Sequence, residues 1–253
     1  MLKNKSVKKD SALARVLAQR TGKWLGAHID TWIESKSGAR YDPGWFHPSA
    51  LGNPCDAFLA FAYMGTEAKG KSNSRGLHIM DNGTSRHIDW SRYLVKSGVS
   101  LFKYWEGKKA KQERSFEIPQ LRIRGECDDA VTNPLTKEKY IFEFKTMNKD
   151  AWEALTEPKS DHIMQVHPYM FGFGILQAVI VYENKNNQQR KEYVVKFDQQ
   201  LWRGIESRVL NIIDLIERKQ LPWRTPLPND SQCQFYSKNA THSGCAAFEF
   251  KEE

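Results

Sequence analysis

The order of hydrophobic patterns along the chain predicts an α/β fold. Three observations carry that prediction: helical periodicity in the first third and again over 199–220, a central block rich in β-branched and aromatic residues, and a helical segment that separates this block from a further apolar strand.

From Asp10 and Ser11, either of which can cap, the stretch SALARVLAQRTGKWLGAHIDTWIES (11–35) reads as one or two helices interrupted near Gly22. GARYDPGWFHPS is a loop, and PCDAFLAFAYMG (54–65) is a short helix with proline at its start and glycine at its end. The polar, glycine-rich EAKGKSNSRG is a connection, and a helix is expected from Thr84 to Lys96. RSFEIP, LRIRGECDDAV and KYIFEFKT are expected strands, with NPLTKEK turning between the last two. A helix over Asp161–Leu176 precedes the apolar strand QAVIVYE, and NKNNQQR then turns into KEYVVKFD to complete a hairpin. Asp198 is placed to cap QQLWRGIESRVLNIIDLIERKQ, the clearest amphipathic helix of the chain. The domain reading is an N-terminal helical region over 1–80, a core over 81–220 and an irregular, proline-rich tail over 221–253.

At 253 residues the chain can bury a sizeable core, and 40% hydrophobic with 12% aromatic residues argues against global disorder. No apolar run approaches the roughly 20 residues that cross a bilayer, and the basic start MLKNKSVKKD is no secretory leader, so a cytoplasmic protein without membrane contact is expected. The net charge of +8, from 38 Lys and Arg against 30 Asp and Glu, favours a polyanionic partner through counterion release. Cys55, Cys127, Cys233 and Cys245 are too few and too scattered for a secreted disulfide scaffold.

The chemistry centres on EFK. Strand alternation puts Glu143 and Lys145 on one face and Phe142 and Phe144 on the other, where the phenyl rings can bury against a helix. The hairpin partner offers Asp128 and Asp129, which a regular strand would point to opposite faces. A Glu and an Asp from adjoining strands make an oxygen-rich site suited to Mg²⁺ or Mn²⁺, and Lys145 can stabilise charge developing on a phosphate. A Glu and a Lys two apart also occur on ordinary solvated strand faces, and DD also occurs as a turn-side charge cluster. Context separates these readings.

That context is a succession of short motifs: GTSRH (Gly83–His87), GECD (Gly125–Asp128), EFK (Glu143–Lys145) and QVHPY (Gln165–Tyr169). Their order resembles the PD-(D/E)XK nuclease superfamily, in its RecB-like or Cas4-like branch of mitochondrial and phage exonucleases, over residues 83–169. The resemblance implies a restriction-endonuclease-like core, a central mixed β-sheet flanked by helices, with an N-terminal helical elaboration. It implies Asp128 and Glu143 as metal ligands, Lys145 as the catalytic lysine and His87 as a residue completing or bordering the metal shell, all four in the catalytic set. Gln165 and Tyr169, one helical turn apart, would contact DNA or brace the site, and Pro168 between them threatens to kink that helix. The activity implied is metal-dependent hydrolysis of DNA from an end, in recombination, repair or degradation, by a protein that can be phage-encoded and act in a host cytoplasm. A structure-dependent endonuclease and a non-catalytic DNA-binding recombination accessory are the rival readings.

Several members of that branch also carry an iron–sulfur cluster between an N-terminal cysteine and three C-terminal ones. Cys55, Cys233 and Cys245 fall in matching places, but Tyr236 stands where a further cysteine would be expected. Zinc held by Cys55, Cys233, His242 and Cys245 is a second possibility, and cysteines serving as small buried apolar residues a third. Trp24, Trp32, Arg40, Trp45 and Arg75 are candidates for a strand-admitting channel, or else core tryptophans and solvated cations.

Overall fold

A computed structural model of the protein describes residues 24–35, 42–66, 73–106, 109–112, 115–223 and 235. Its centre is a four-stranded sheet of β5 (Asp129–Thr132), β6 (Lys139–Met147), β7 (Gln177–Asn184) and β8 (Arg190–Lys196), in that spatial order. β5 and β8 run antiparallel to their neighbours while β6 and β7 are parallel, so the sheet is mixed. The parallel pair needs a crossover, which is supplied by α5 (Lys149–Ala154) and α6 (Ser160–Phe173).

Helices cover both faces of the sheet. On one side α4 (Ser74–Lys96) lays Trp90 and Leu94 on Phe142, Phe144 and Val181. On the other, Val166, Tyr169 and Met170 of α6 join Ile141, Ile180 and Tyr182 in the main core. Trp202, Ile205, Val209 and Ile212 of α7 (Gln199–Glu217) complete that core. β6 is therefore buried on both faces over Ile141–Phe144, which explains why its sequence alternates two kinds of burial and not burial with exposure. Edge strand β8 is mostly exposed and carries Arg190, Lys191, Glu192 and Lys196, charges that discourage edge-to-edge pairing.

Ahead of the sheet lie α1 (Trp24–Ser35), the short α2 (Pro48–Leu51), α3 (Asp56–Met64) and two hairpins, β1 (Lys103–Glu106) with β2 (Lys109–Gln112) and β3 (Ser115–Ile118) with β4 (Ile123–Glu126). Phe46 bridges to Ile123 in parallel, so part of the expected loop 38–49 is tied to β4. Cβ growth at Gly52 would come within 2.6 Å of Asp161 Cα, so the chain after α2 passes directly against the start of α6.

Most expected elements are present. Asp198 Oδ1 caps α7 by accepting from Gln200 N and Leu201 N at 2.7 and 3.1 Å. Pro168 lies inside α6 without ending it. Three expectations change. The helix expected from Thr84 begins instead at Ser74, because Asn73 accepts from Gly76 N and Glu34 of α1 accepts from Ser74 N at 2.7 Å. It thereby runs across the division expected between residues 80 and 81. The single strand expected over LRIRGECDDAV is broken: 123–126 pair with β3, 129–132 pair with β6, and Cys127 and Asp128 fall in the gap. The hairpin β1–β2 and helices α2 and α5 were not expected. Residues 10–23 of the first expected helix lie outside the described residues.

Candidate active site

Alternation along β6 sends Glu143 and Lys145 to the α6 side and Phe142 and Phe144 to the α4 side. Glu143 Oε1 and Lys145 Nζ are 2.7 Å apart. Gln165, reaching over from α6, donates Nε2–H to the same Oε1 at 2.8 Å and accepts from Lys145 Nζ at 2.9 Å. The three side chains form a closed triangle. Tyr169, one turn further along α6, brings its hydroxyl within 3.4 Å of Gln165 Nε2, so the proline between them leaves their spacing intact. Gln165 and Tyr169 are both buried.

Asp128 belongs to the gap between β4 and β5. Its Oδ2 accepts from Phe144 N at 2.7 Å, which fixes it to the backbone between Glu143 and Lys145. Its Oδ1 lies 2.9 Å from His87 Nδ1, on the middle of α4. The His87 ring meets Phe144 edge-on with centroids 5.2 Å apart. Asp129 faces elsewhere: it is 0% exposed and accepts from Ser100 Oγ, Phe102 N and Ala130 N. The two adjacent aspartates thus part as strand alternation expects, with Asp128 in the gap and Asp129 at the start of β5.

The electrostatics follow from burial. Glu143 is 2% exposed, and burial pushes its carboxyl up to about 7 against the pull of Lys145, with the charge of Asp128 adding to the rise. Burial also works against the Lys145 ammonium, but Glu143 outweighs it and holds the lysine protonated above its ordinary range. For His87, burial is likewise outweighed, here by the hydrogen bond and charge of Asp128 with Glu143 behind, so its pKa is raised. Tyr169 is raised well above the ordinary phenol by burial and by Glu143, and stays a neutral hydroxyl.

Two carboxylates and an imidazole are the donor chemistry of a divalent-cation site, and burial disfavours the ionised form of Glu143 that a cation would stabilise. In the conformation described, the contacts of Glu143 fall on Oε1 and both Asp128 oxygens serve His87 and Phe144 N–H. Among the described residues no group of three or more His, Cys, Asp or Glu side chains is already gathered around a metal position. The donors fit the ion chemically, and ligation would exchange internal hydrogen bonds for metal bonds.

Cys55 is buried at the start of α3, unpaired among the described residues, beside Ala57, Phe61 and Phe235. Phe235 sets its ring edge against Phe58 and Phe61, so the chain two residues past Cys233 returns to the neighbourhood of Cys55. Cys233, His242 and Cys245 lie outside the described residues, and with them the expected zinc or iron–sulfur site. Cys127 is buried and turns its Sγ toward Asp129 O at 3.4 Å. Of the expected channel residues, Trp24 and Trp32 are exposed on α1, and Trp45 lies under the Arg124 guanidinium at 4.9 Å. Arg75 lines an open cleft of about 440 Å³ with Asp30, His78 and Lys185, and Arg40 lies outside the described residues.

Two pairings near the site were not anticipated. Arg86 grips the buried Glu183 with Nε and Nη2 at 2.8 and 2.9 Å, and Trp90 Nε1 adds a third donor at 3.2 Å. His162 Nδ1 lies 2.8 Å from the Tyr182 hydroxyl on the Lys145 side of the sheet. An acid closing the apolar strand QAVIVYE was the available sequence signal for the first; the second, two ring residues twenty apart in unlike elements, had none.

No family model and no curated protein matches the sequence. Among solved structures, the protein SSO0001 superposes with a TM-score of 0.49 at 15% identity, covering 82% of this chain and 94% of that one. An alkaline exonuclease, LHK-Exo from Laribacter hongkongensis, gives 0.46 at 17% identity, with 70% of this chain and 89% of that one covered. The same exonuclease in complex with dAMP gives 0.47 at 15% identity, covering 75% and 93%. Among the described residues no helix is long and apolar enough to cross a membrane.

Proposed function

We propose that this chain is a divalent-metal-dependent deoxyribonuclease that hydrolyses phosphodiester bonds from DNA ends. The observation that carries the reading is the joining of four separated motifs into one hydrogen-bonded array: His87 to Asp128, Asp128 to the amide between Glu143 and Lys145, and Glu143 and Lys145 to Gln165. The net charge of +8 suits a DNA partner.

Asp128 and Glu143, with His87 at the border, would hold Mg²⁺ or Mn²⁺, which when bound supplies an acidified water and neutralises charge at the scissile phosphate. Lys145 does the rest of the electrostatic work. Its raised pKa keeps it an ammonium, and Glu143 and Gln165 fix its direction, so it acts as a positioned charge and not as a base. Gln165 and Tyr169 hold that geometry from the buried side. Action from an end, and service in recombination, repair or degradation of DNA in a cytoplasm, follow from the motif resemblance.

The test compares end-labelled linear DNA with covalently closed circles in Mn²⁺, using the wild type, Asp128→Ala and Lys145→Ala. Wild type degrades the linear substrate, and each variant loses at least about 100-fold in rate. Cleavage of the circles would make the protein an endonuclease. Binding without cleavage of either substrate would make it an accessory protein, and folded variants that cut as fast as wild type would remove the assigned site.

A further inference from the structure

On β6 and β7 the residues Lys145 and Tyr182 are register partners, so in this parallel pair their side chains stand beside each other on the α6 face. His162, in the first turn of α6, lies across the Tyr182 ring with centroids 5.5 Å apart and an interplanar angle of 32°. The Tyr182 hydroxyl accepts from Lys159 N at 3.1 Å and lies 2.8 Å from His162 Nδ1. An amide N–H cannot accept, so among the described residues the phenolic hydrogen has one destination, His162 Nδ1. That bond fixes the tautomer with hydrogen on Nε2.

Nε2 has no hydrogen-bond partner in reach among the described residues; Asp161 Oδ1 is 3.8 Å away. The His162 side chain is 17% exposed, and that of Lys145 23%, so both are partly open to solvent. Burial, with the charge of Lys145 next, drops the imidazole to about 4, and the phenol is held up at about 12 mainly by its own burial. Donor and tautomer therefore persist across neutral pH.

We propose that His162 is a substrate-contacting residue, its Nε2–H donating a hydrogen bond to a non-bridging phosphate oxygen of the DNA strand that lies against Lys145. This rests on the nuclease reading and deepens it. Lys145 supplies charge to that strand, while His162 supplies a directional neutral donor held rigid by Tyr182. The strand is thereby registered against the sheet without adding a second positive charge beside the lysine.

The experiment measures oligonucleotide binding in EDTA by fluorescence anisotropy, scanning single methylphosphonate linkages that remove one phosphate charge at a time. Wild type loses about 10-fold in affinity at one linkage, the size expected for a hydrogen bond to a charged group. His162→Ala binds unmodified DNA about 10-fold more weakly and no longer responds at that linkage. His162→Gln, whose amide can donate from a similar place, recovers most of the loss. The proposal is overturned if His162→Ala binds as wild type does, or if it is weakened yet keeps the wild-type linkage profile, the result of a purely structural role. A wild type that cleaves DNA in Mn²⁺ alongside either result leaves the nuclease reading standing, whereas a wild type that neither binds nor cleaves DNA overturns both.

Discussion

Asp128 Oδ1 and His87 Nδ1 meet at 2.9 Å, joining the gap between two strands to the middle of a long helix. The contact orients Asp128 from the side opposite its bond to Phe144 N, so the carboxylate is held by two elements at once. His87→Ala leaves one of those holds. Cleavage should fall about 10- to 100-fold, the usual cost of losing a residue at the edge of a metal shell, and the Mn²⁺ concentration for half-maximal rate should rise. Single-turnover rates across a Mn²⁺ titration check this, and an unchanged titration midpoint with an unchanged rate would place His87 outside the working site.

The two aspartates of the DD pair should behave oppositely. Asp129 is wholly buried and receives Ser100 Oγ, Phe102 N and Ala130 N, fastening the segment before β1 to the sheet. Asp129→Ala strands buried donors and should cost about 2–4 kcal/mol of stability. Asp128→Ala should abolish cleavage while shifting the urea midpoint far less, since its carboxylate is partly open to solvent. Equal midpoints for the two variants would contradict the division of labour.

That division shows where the sequence was legible and where it was not. Phe142, Glu143, Phe144 and Lys145 could be sorted to two faces because a strand has a period of two whatever surrounds it. Asp198 could be read as a cap because capping is local. The parting of Asp128 from Asp129 was legible for the same reason, but the break in LRIRGECDDAV was not, because its apolar alternation continues across 127–128 and the contact that holds Asp128 comes from a distant amide, Phe144 N. The first ten residues of α4 were missed for a similar reason: they contain glycine and serine, and the carboxylate that supports their start comes from Glu34 on another helix. The His162–Tyr182 and Arg86–Glu183 pairs exist through tertiary contact alone.

Acid should reveal His162. Burial lowers its pKa from 6.5 unfolded to about 4 folded, so the unfolded chain takes up a proton before the native one does. The neutral ring's contribution is present above pH 6.5 and is lost as pH falls toward 4. Between pH 7.5 and 5 this amounts to about 2 kcal/mol. Other groups titrate in the same range, so the measurement is the difference in urea stability between wild type and His162→Gln at the two pH values. Wild type should lose about 2 kcal/mol more than the variant. Parallel losses would mean that the imidazole takes up its proton in the fold as readily as in the unfolded chain.

Arg86 and Glu183 should prove energetically inseparable. The guanidinium takes both carboxylate oxygens, the acid is almost fully buried, and the hydrogen bond with Glu183 holds Arg86 even further into its charged state. Removing the arginine alone leaves a buried carboxylate with Trp90 as its remaining donor. Arg86→Ala should therefore cost about 3–5 kcal/mol, whereas Arg86→Met together with Glu183→Leu, which removes both charges and keeps volume, should recover most of that loss. Because Arg86 precedes His87 on α4, the single variant should also slow cleavage through a displaced His87, and the double variant should cleave faster than the single one. Urea denaturation of Arg86→Met, Glu183→Leu and the double closes the cycle. Additive costs would show that the two groups do not couple and that the seat of α4 on β7, and with it the placement of His87 against Asp128, is set by Trp90 and Leu94 alone.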